Sequence, residues 1–233
     1  MQRSGFALFK HTQALMRQKL LLTIISTALL LSTHAGAQYL FNGGDSTLPK
    51  IEFGLKLGAN LQKLTGDTWD NSFKPGIVGG MYVGMQKHKV AVRAEILVNT
   101  SHYTSGKVTD TAGAITYKVT DSAGNRGDFR ATYLDIPLLF EYNVFSCFWL
   151  QAGPQYSIVM SVKNLTDYAG DPKVIFKQGE LSGVIGLEAR FPKHITGGLR
   201  YIYGFTNLNN DIVGATDSWQ NRTIQIFAGY RIK

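Results

Sequence analysis

Arg130–Met160 reads RATYLDIPLLFEYNVFSCFWLQAGPQYSIVM, and the alternation within it decides the fold. In the first half Leu134, Ile136, Leu138, Phe140 and Tyr142 share one parity, and Tyr133, Asp135, Pro137, Leu139, Glu141 and Asn143 share the other. In the second half Phe148, Leu150, Ala152, Tyr156 and Ile158 oppose Trp149, Gln151, Gly153, Gln155 and Ser157. A period of two is the mark of a strand with two unlike faces. The few residues around Val144–Cys147 make the pair an antiparallel hairpin. Each run exceeds the soluble norm of about 5–6 residues and approaches the ~9–11 residues that cross a bilayer at a tilt. Asp135 and Glu141 lie on the less apolar face. A closed barrel in lipid puts such a face inside and the apolar face outside.

The same alternation recurs along the chain. Ile51–Leu61 sets Ile51, Phe53, Leu55, Leu57, Ala59 and Leu61 against Glu52, Gly54, Lys56, Gly58 and Asn60. Gly76–Gln86 and Val90–Val98 form a second and third strand about the turn Lys87-His88-Lys89. After the central hairpin come Leu181–Phe191, then Ile195–Phe205 across the turn Pro192-Lys193-His194, then Ile224–Ile232. The expectation is therefore all-β: an eight-stranded antiparallel up-and-down transmembrane β-barrel. Connections alternate long and short, as short periplasmic turns and long outer loops do in outer-membrane barrels. Both chain ends then fall in the periplasm. The long polar stretch Thr104–Asp128 carries a small repeat, Lys107–Gly113 and Lys118–Gly124, and reads as a hairpin arm. Pro137 and Pro154, on adjacent strands, each remove a ladder donor, which predicts a bulge or kink there.

The front of the chain reads as a leader. Arg17 and Lys19 precede the apolar run Leu20–Leu31, followed by Ala35-Gly36-Ala37, so cleavage is expected before Gln38. The domain reading is a signal peptide over 1–37, a short periplasmic segment over 38–50 and the barrel over 51–233. The full chain carries 24 Lys and Arg against 16 acids, a net +8. Loss of Arg3, Lys10, Arg17 and Lys19 leaves 20 basic residues against the same 16 acids, or +4. No basic run interleaved with aromatics points to nucleic acid. The single cysteine, Cys147, excludes an internal disulfide framework.

The inward faces supply Glu52, Glu95, Asp135, Glu141, Glu180 and Glu188 against Lys56, Arg93, Arg190, Arg200 and Arg231. Opposite charges in a narrow lumen must pair, because an isolated buried charge is very costly. The candidate site is thus a structural network of Glu52, Lys56, Arg93, Glu95, Asp135, Glu141, Glu188, Arg190, Arg200 and Arg231. Eight strands enclose just enough room for side chains to fill, so no stable conductance is expected. A soluble ligand-binding barrel would need an apolar cavity where these charges sit. Tyr142, Phe148, Phe191 and Tyr230 on the periplasmic side, with Tyr156, Tyr203 and Phe205 on the outer side, fit interfacial girdles. Ser101 and His102 are the one Ser/His pair that could serve a hydrolase, but neighbours on a strand point to opposite faces. No metal-ligand spacing, phosphate loop or nucleotide fingerprint is present, and no cofactor is expected.

Tyr133-Leu-Asp-Ile-Pro-Leu-Leu139 resembles the Y-L-E-I-P-L-L signature of the PorT-like outer-membrane β-barrel family. Ala152-Gly153-Pro154, Gly183–Glu188, Leu199–Gly204 with Asn207, and Asn221–Tyr230 are similar to that family's other strands. The resemblance runs from Ile51 to the C-terminus, although the chain ends Tyr230-Arg-Ile-Lys233 where such families usually end on an aromatic. It implies a porin-family barrel in a Gram-negative type of outer membrane, and its founding member is associated with protein secretion. The functional expectation is a non-enzymatic barrel acting through outer loops or rims as a binding or structural component. Its expected partners are outer-membrane lipid and another envelope or secretion protein. The alternatives are a small lipid-modifying hydrolase or a narrow ion or solute channel.

Overall fold

The computed structural model describes residues 48–109, 115–117, 119, 120, 124, 126–166, 175–210 and 217–232. The expected signal peptide over 1–37, most of the segment 38–50 and part of the 107–124 repeat lie outside the described residues. Ten strands are described: β1 (Lys50–Thr65), β2 (Lys74–Lys87), β3 (Val90–Thr104), β4 (Lys107–Thr109), β5 (Ile115–Tyr117), β6 (Asp128–Phe145), β7 (Phe148–Asn164), β8 (Gly179–Arg190), β9 (Ile195–Gly204) and β10 (Gln220–Arg231). Eight of them close a barrel in the order β1-β10-β9-β8-β7-β6-β3-β2, every neighbouring pair antiparallel. β4 and β5 form the separate two-stranded arm expected between the third and fourth barrel strands.

Closure is what lets such strands span a membrane: with β1 bonded to β10 from Gly54–Arg231 to Thr65–Gln220, the sheet has no edge. The outward face is apolar along every strand, with Leu57 70%, Ile77 66%, Ile185 56% and Ile226 57% exposed. On a soluble protein so large an apolar surface would be a liability; here it faces lipid. Tyr142, Phe191, Tyr230, Tyr203 and Phe205 stand outward near the strand ends, in the positions of interfacial girdles.

One end has short turns, at 88–89, 146–147 and 191–194, and both termini of the barrel. The other end has the connections 66–73 (L1), 105–127 (L2), 165–178 (L3) and 205–219 (L4). By the asymmetry of outer-membrane barrels the first end is called periplasmic and the second outer.

The prolines leave the register intact. Pro137 faces Gln155 and Phe140 faces Ala152 in one continuous register, and Pro154 faces Gly183. One missing donor is too small a loss to slide long strands already paired on both sides. The shifts lie elsewhere, between Thr132 and Tyr133 and between Asn143 and Phe145. At the first, Tyr133 faces Val159 while Thr132 faces Ser161, so Met160 is the extra residue of a β-bulge. Beyond it the parity of β7 flips: Val162 is buried and Lys163 is exposed.

Candidate functional site: a lumen filled in layers

The periplasmic half of the lumen holds a connected ionic network. Arg93 on β3 reaches across the barrel and donates two hydrogen bonds to Glu188 on β8, 2.6 and 2.9 Å, with its Nε 3.1 Å from Glu141. Arg200 on β9 makes the same two-pronged contact with Glu95, 2.7 and 2.9 Å, and donates from Nε to Gln151 at 2.8 Å. Lys56 donates to Glu95 at 2.5 Å. Arg190 donates to Glu188 at 3.0 Å and to Glu141, and its Nη1 lies 3.7 Å from Glu52. Arg231 lies 3.5 Å from Glu52 at the rim. Gln151 donates to Glu141 at 2.7 Å and Glu188 at 3.1 Å, tying the parts together. Four buried carboxylates thus face four buried cations, with Arg231 at the edge; planar guanidinium forks satisfy Glu95 and Glu188 in the geometry that burial demands, while Glu52 has ion contacts alone among the described residues.

Aromatic faces fill the remaining space. Arg190 stacks over Trp149 at 3.9 Å, Arg93 over Tyr82 at 4.3 Å, and Lys56 and Arg200 lie 4.1 and 4.7 Å from the Phe227 ring. Such contacts strengthen when desolvated. The rings fit because glycines face them: a Cβ on Gly54 would overlap the Tyr82 ring, and one on Gly198 would overlap that of Phe227.

Nine of the ten residues expected in the charge network meet in it. Asp135 does not. It is buried, but it accepts from Asn99 Nδ2 at 3.0 Å and has no ion pair among the described residues. Asp135 lies opposite Leu97, one inward position beyond Glu95, and the nearest lumen cations, Lys56 and Arg200, are committed to Glu95. The others gather around Glu141 and Glu188, about 20 Å further along β6 at ~3.3 Å per residue. Asp135 instead ends a relay of amides around the wall: Gln225 donates to Asn60 at 3.2 Å, Asn60 to Asn99 at 2.8 Å, and Asn99 to Asp135. Glu180 is likewise held by neutral donors, Ser182 at 3.2 Å and Asn221 at 3.3 Å.

The outer mouth is closed by apolar residues, which sequence reasoning missed. Inward-facing Leu64, Tyr103, Phe129, Ala131, Tyr133, Val159 and Val162 meet Trp69 of L1, Ile175 and Phe176 of L3, and Leu208 and Trp219 of L4. The Trp69 ring sits 5.2 Å from Trp219, 5.4 Å from Phe176 and 5.9 Å from Phe129. The loops are bonded to one another above it. Thr68 donates its amide (2.9 Å) and hydroxyl (2.6 Å) to Asp217, Gly106 N donates to Thr68 O at 2.8 Å, and Lys177 N to Leu208 O at 3.0 Å. Arg126 of L2 donates to Asp70 of L1 at 2.7 Å, and Lys74 joins at 3.2 Å. Partial burial pulls the Asp70 carboxyl up, but hydrogen bonds from Arg126 and Lys74 outweigh it and hold its pKa down at about 2. Asp217 is lowered in the same way, its burial outweighed by hydrogen bonds from Thr68. The available signal was large apolar residues standing alone in polar loops, as Trp69 does in Asp67-Thr-Trp-Asp70.

Ser101 and His102 point apart. Ser101 faces the lumen and donates to Gln62 Oε1, whereas His102 faces outward, with Nδ1 3.0 Å from Pro75 O and Nε2 accepting from Arg130 Nε at 2.7 Å. Between L1 and L2 lies an open cavity of about 460 Å³ bordered by Asp67, Asp70, Asn71, Gly106, Lys107 and Arg126.

No curated relative matches the sequence. Among solved structures, Neisserial surface protein A is similar at 11% identity over 76% of this chain and 96% of that one, TM-score 0.46. OprG of Pseudomonas aeruginosa is similar at 12% identity over 79% and 97%, TM-score 0.43. The attachment invasion locus protein Ail of Yersinia pestis, solved with the heparin analogue sucrose octasulfate, is similar at 12% over 80% and 100%, TM-score 0.41. The family described as outer membrane protein beta-barrel domain matches residues 37–210, well over half of the sequence. With a closed eight-stranded barrel, an apolar outer wall and a charged interior, this chain belongs to that family and is a protein of the outer membrane.

Proposed function

We propose that this chain is a non-conducting, non-enzymatic outer-membrane barrel that works through its loop surface as a binding or structural component of the envelope. The observation that carries the reading is closure at two levels, a neutralised charge network in the periplasmic half and a packed aromatic cap at the outer mouth. With the lumen filled, the surfaces left for recognition are the loops and rims. Bonded loops around the cavity between L1 and L2 offer a preorganised polar surface. The opposed directions of Ser101 and His102 support a role without hydrolysis.

The resemblance of Tyr133–Leu139 to the PorT-like signature supports a place in a protein-secretion or envelope-maintenance system. The leader motif ending at Ala37 supports export of the chain before it inserts.

Crosslinking in intact outer membranes, followed by co-purification of the tagged protein, tests the binding role. A stoichiometric protein partner is expected; recovery of the barrel with lipid alone would overturn it. Planar-bilayer recording tests the closed lumen. No stable single-channel steps are expected, and steps that Arg200→Ala leaves unaltered would defeat the assignment of that network as the barrier.

A further inference from the structure

The outward wall of β3, β6 and β7 near the outer end is ordered in three registered rows. Val98, Leu134 and Ile158 lie side by side, then Thr100, Thr132 and Ser161, then His102, Arg130 and Lys163. Moving outward the wall passes from apolar to hydroxyl to basic. At ~3.3 Å per residue and a tilt near 40°, the basic row stands about 10 Å beyond the last apolar row. That is the depth of the headgroup layer.

Arg130 and Lys163 are directly opposite each other, and both are exposed. Like charges in that relation destabilise a sheet. Asp128, two residues further out on the same face, forms no ion pair with either. The guanidinium is held in place: Arg130 Nε donates to His102 Nε2 at 2.7 Å, so the ring proton sits on Nδ1, which donates to Pro75 O at 3.0 Å. This leaves both terminal nitrogens of Arg130 and the Lys163 ammonium without a protein partner among the described residues.

A second pair of cations, Lys63 and Arg222, stands opposite across β1 and β10, and serves as a contrast. Arg222 is used internally. It stacks on Tyr203 at 3.5 Å and donates to Gly204 O, Asn221 O and Gln220 Oε1 at 3.1, 2.8 and 2.8 Å. Lys63 lies over the Phe73 ring at 5.1 Å. The Arg130 row is oriented by protein but not satisfied by it.

We propose that His102, Arg130 and Lys163 form a binding site for the phosphate of an outer-leaflet lipid headgroup. Arg130 supplies the planar fork that matches phosphate oxygens and Lys163 a point charge; His102 is the positioning residue. The occupant is a lipid rather than free phosphate because the site sits on the membrane-facing wall. Acyl chains of a bound molecule would lie along Val98, Leu134 and Met160, which is 55% exposed.

The test uses the purified full barrel in uncharged detergent, with native mass spectrometry counting bound phosphorylated lipid A and its dephosphorylated form. Preferential retention of the phosphorylated lipid is expected, weakened at least tenfold in Arg130→Gln/Lys163→Gln. The exposed single change Lys163→Gln should give a smaller loss without a folding defect, and Lys63→Gln no loss. Heat-dependent gel mobility verifies that each variant is folded. Equal retention of the two lipids, or unchanged retention by the folded double variant, would overturn the proposal. Full displacement by millimolar inorganic phosphate would show a general anion site and overturn the lipid assignment.

Discussion

The two ends of the lumen are both filled, but by different chemistry from different parts of the chain. At the periplasmic end the filling is ionic and comes from inward positions on the strands themselves, Arg93 and Glu188 foremost. At the outer end it is aromatic, and Trp69, Phe176 and Trp219 arrive from loops. The ionic layer is committed: apart from Arg231 at the rim, each member is buried among opposite charges, and removing one strands the others. The aromatic layer is held by area and by hydrogen bonds among the loops, with inward strand residues beneath it. A rigid base and a cap that opens while the strands stay paired are therefore expected.

Arg93→Ala should have the largest effect. It leaves Glu188 and Glu141 short of a partner, and a loss of about 3–5 kcal/mol is expected for breaking a buried ion cluster. Urea unfolding in lipid vesicles measures it, and a loss below 1 kcal/mol would mean that water enters the base and that the layers are not distinct. Trp219→Ala should cost about 3 kcal/mol, the low end for aromatic truncation. The loss should appear as protease cleavage within L4 rather than as unfolding of the strands. The same pair sharpens the comparison electrically: neither change alone should open a conducting path, and the two together should.

Thr68→Val removes the hydroxyl hydrogen bond to Asp217 that helps join L1 to L4 and keeps the amide one, at an expected cost of roughly 1.5 kcal/mol for a bond to a charged acceptor. Faster amide exchange in L1 and L4 with unchanged exchange in β1 would place the effect in the cap.

Acid should act on the cap in the same sense, and more weakly. The Asp70 carboxyl is held at about 2 in the fold, below its ordinary value. Its contribution is therefore complete above pH ~4 and is lost as pH falls toward 2. Protection of the Gly106 amide, which bonds to Thr68 O, measured against the unstructured exchange rate at the same pH, should fall over that window; a fall in protection between pH 7 and 5 instead would refute the Asp70 clasp as its cause.

Most of the barrel was legible because strand periodicity is local. Glu52, Lys56, Arg93, Glu95, Glu141, Glu188, Arg190 and Arg200 could be placed inside by parity alone, and all of them are buried there. Parity gives a face but not a height or a partner. Asp135 was therefore grouped with the charges, although about 20 Å of strand separates it from Glu141. The prolines misled about the place of the bulge for a related reason: a missing donor is visible in the sequence, while the register of a strand paired on both sides is a property of the whole sheet.

The sequence by itself determined the strand number, the face each strand residue takes and the alternation of long and short connections, since these follow from a two-residue period and local turn chemistry. Only the tertiary structure decided which guanidinium meets which carboxylate across the lumen, because those contacts join residues up to 105 positions apart. It alone folded Trp69, Phe176 and Trp219 into the mouth. It also placed the bulge at Met160, which turns Lys163 outward beside Arg130. Without that extra residue simple alternation would have put Lys163 inside, and the basic row on the outer wall would not exist.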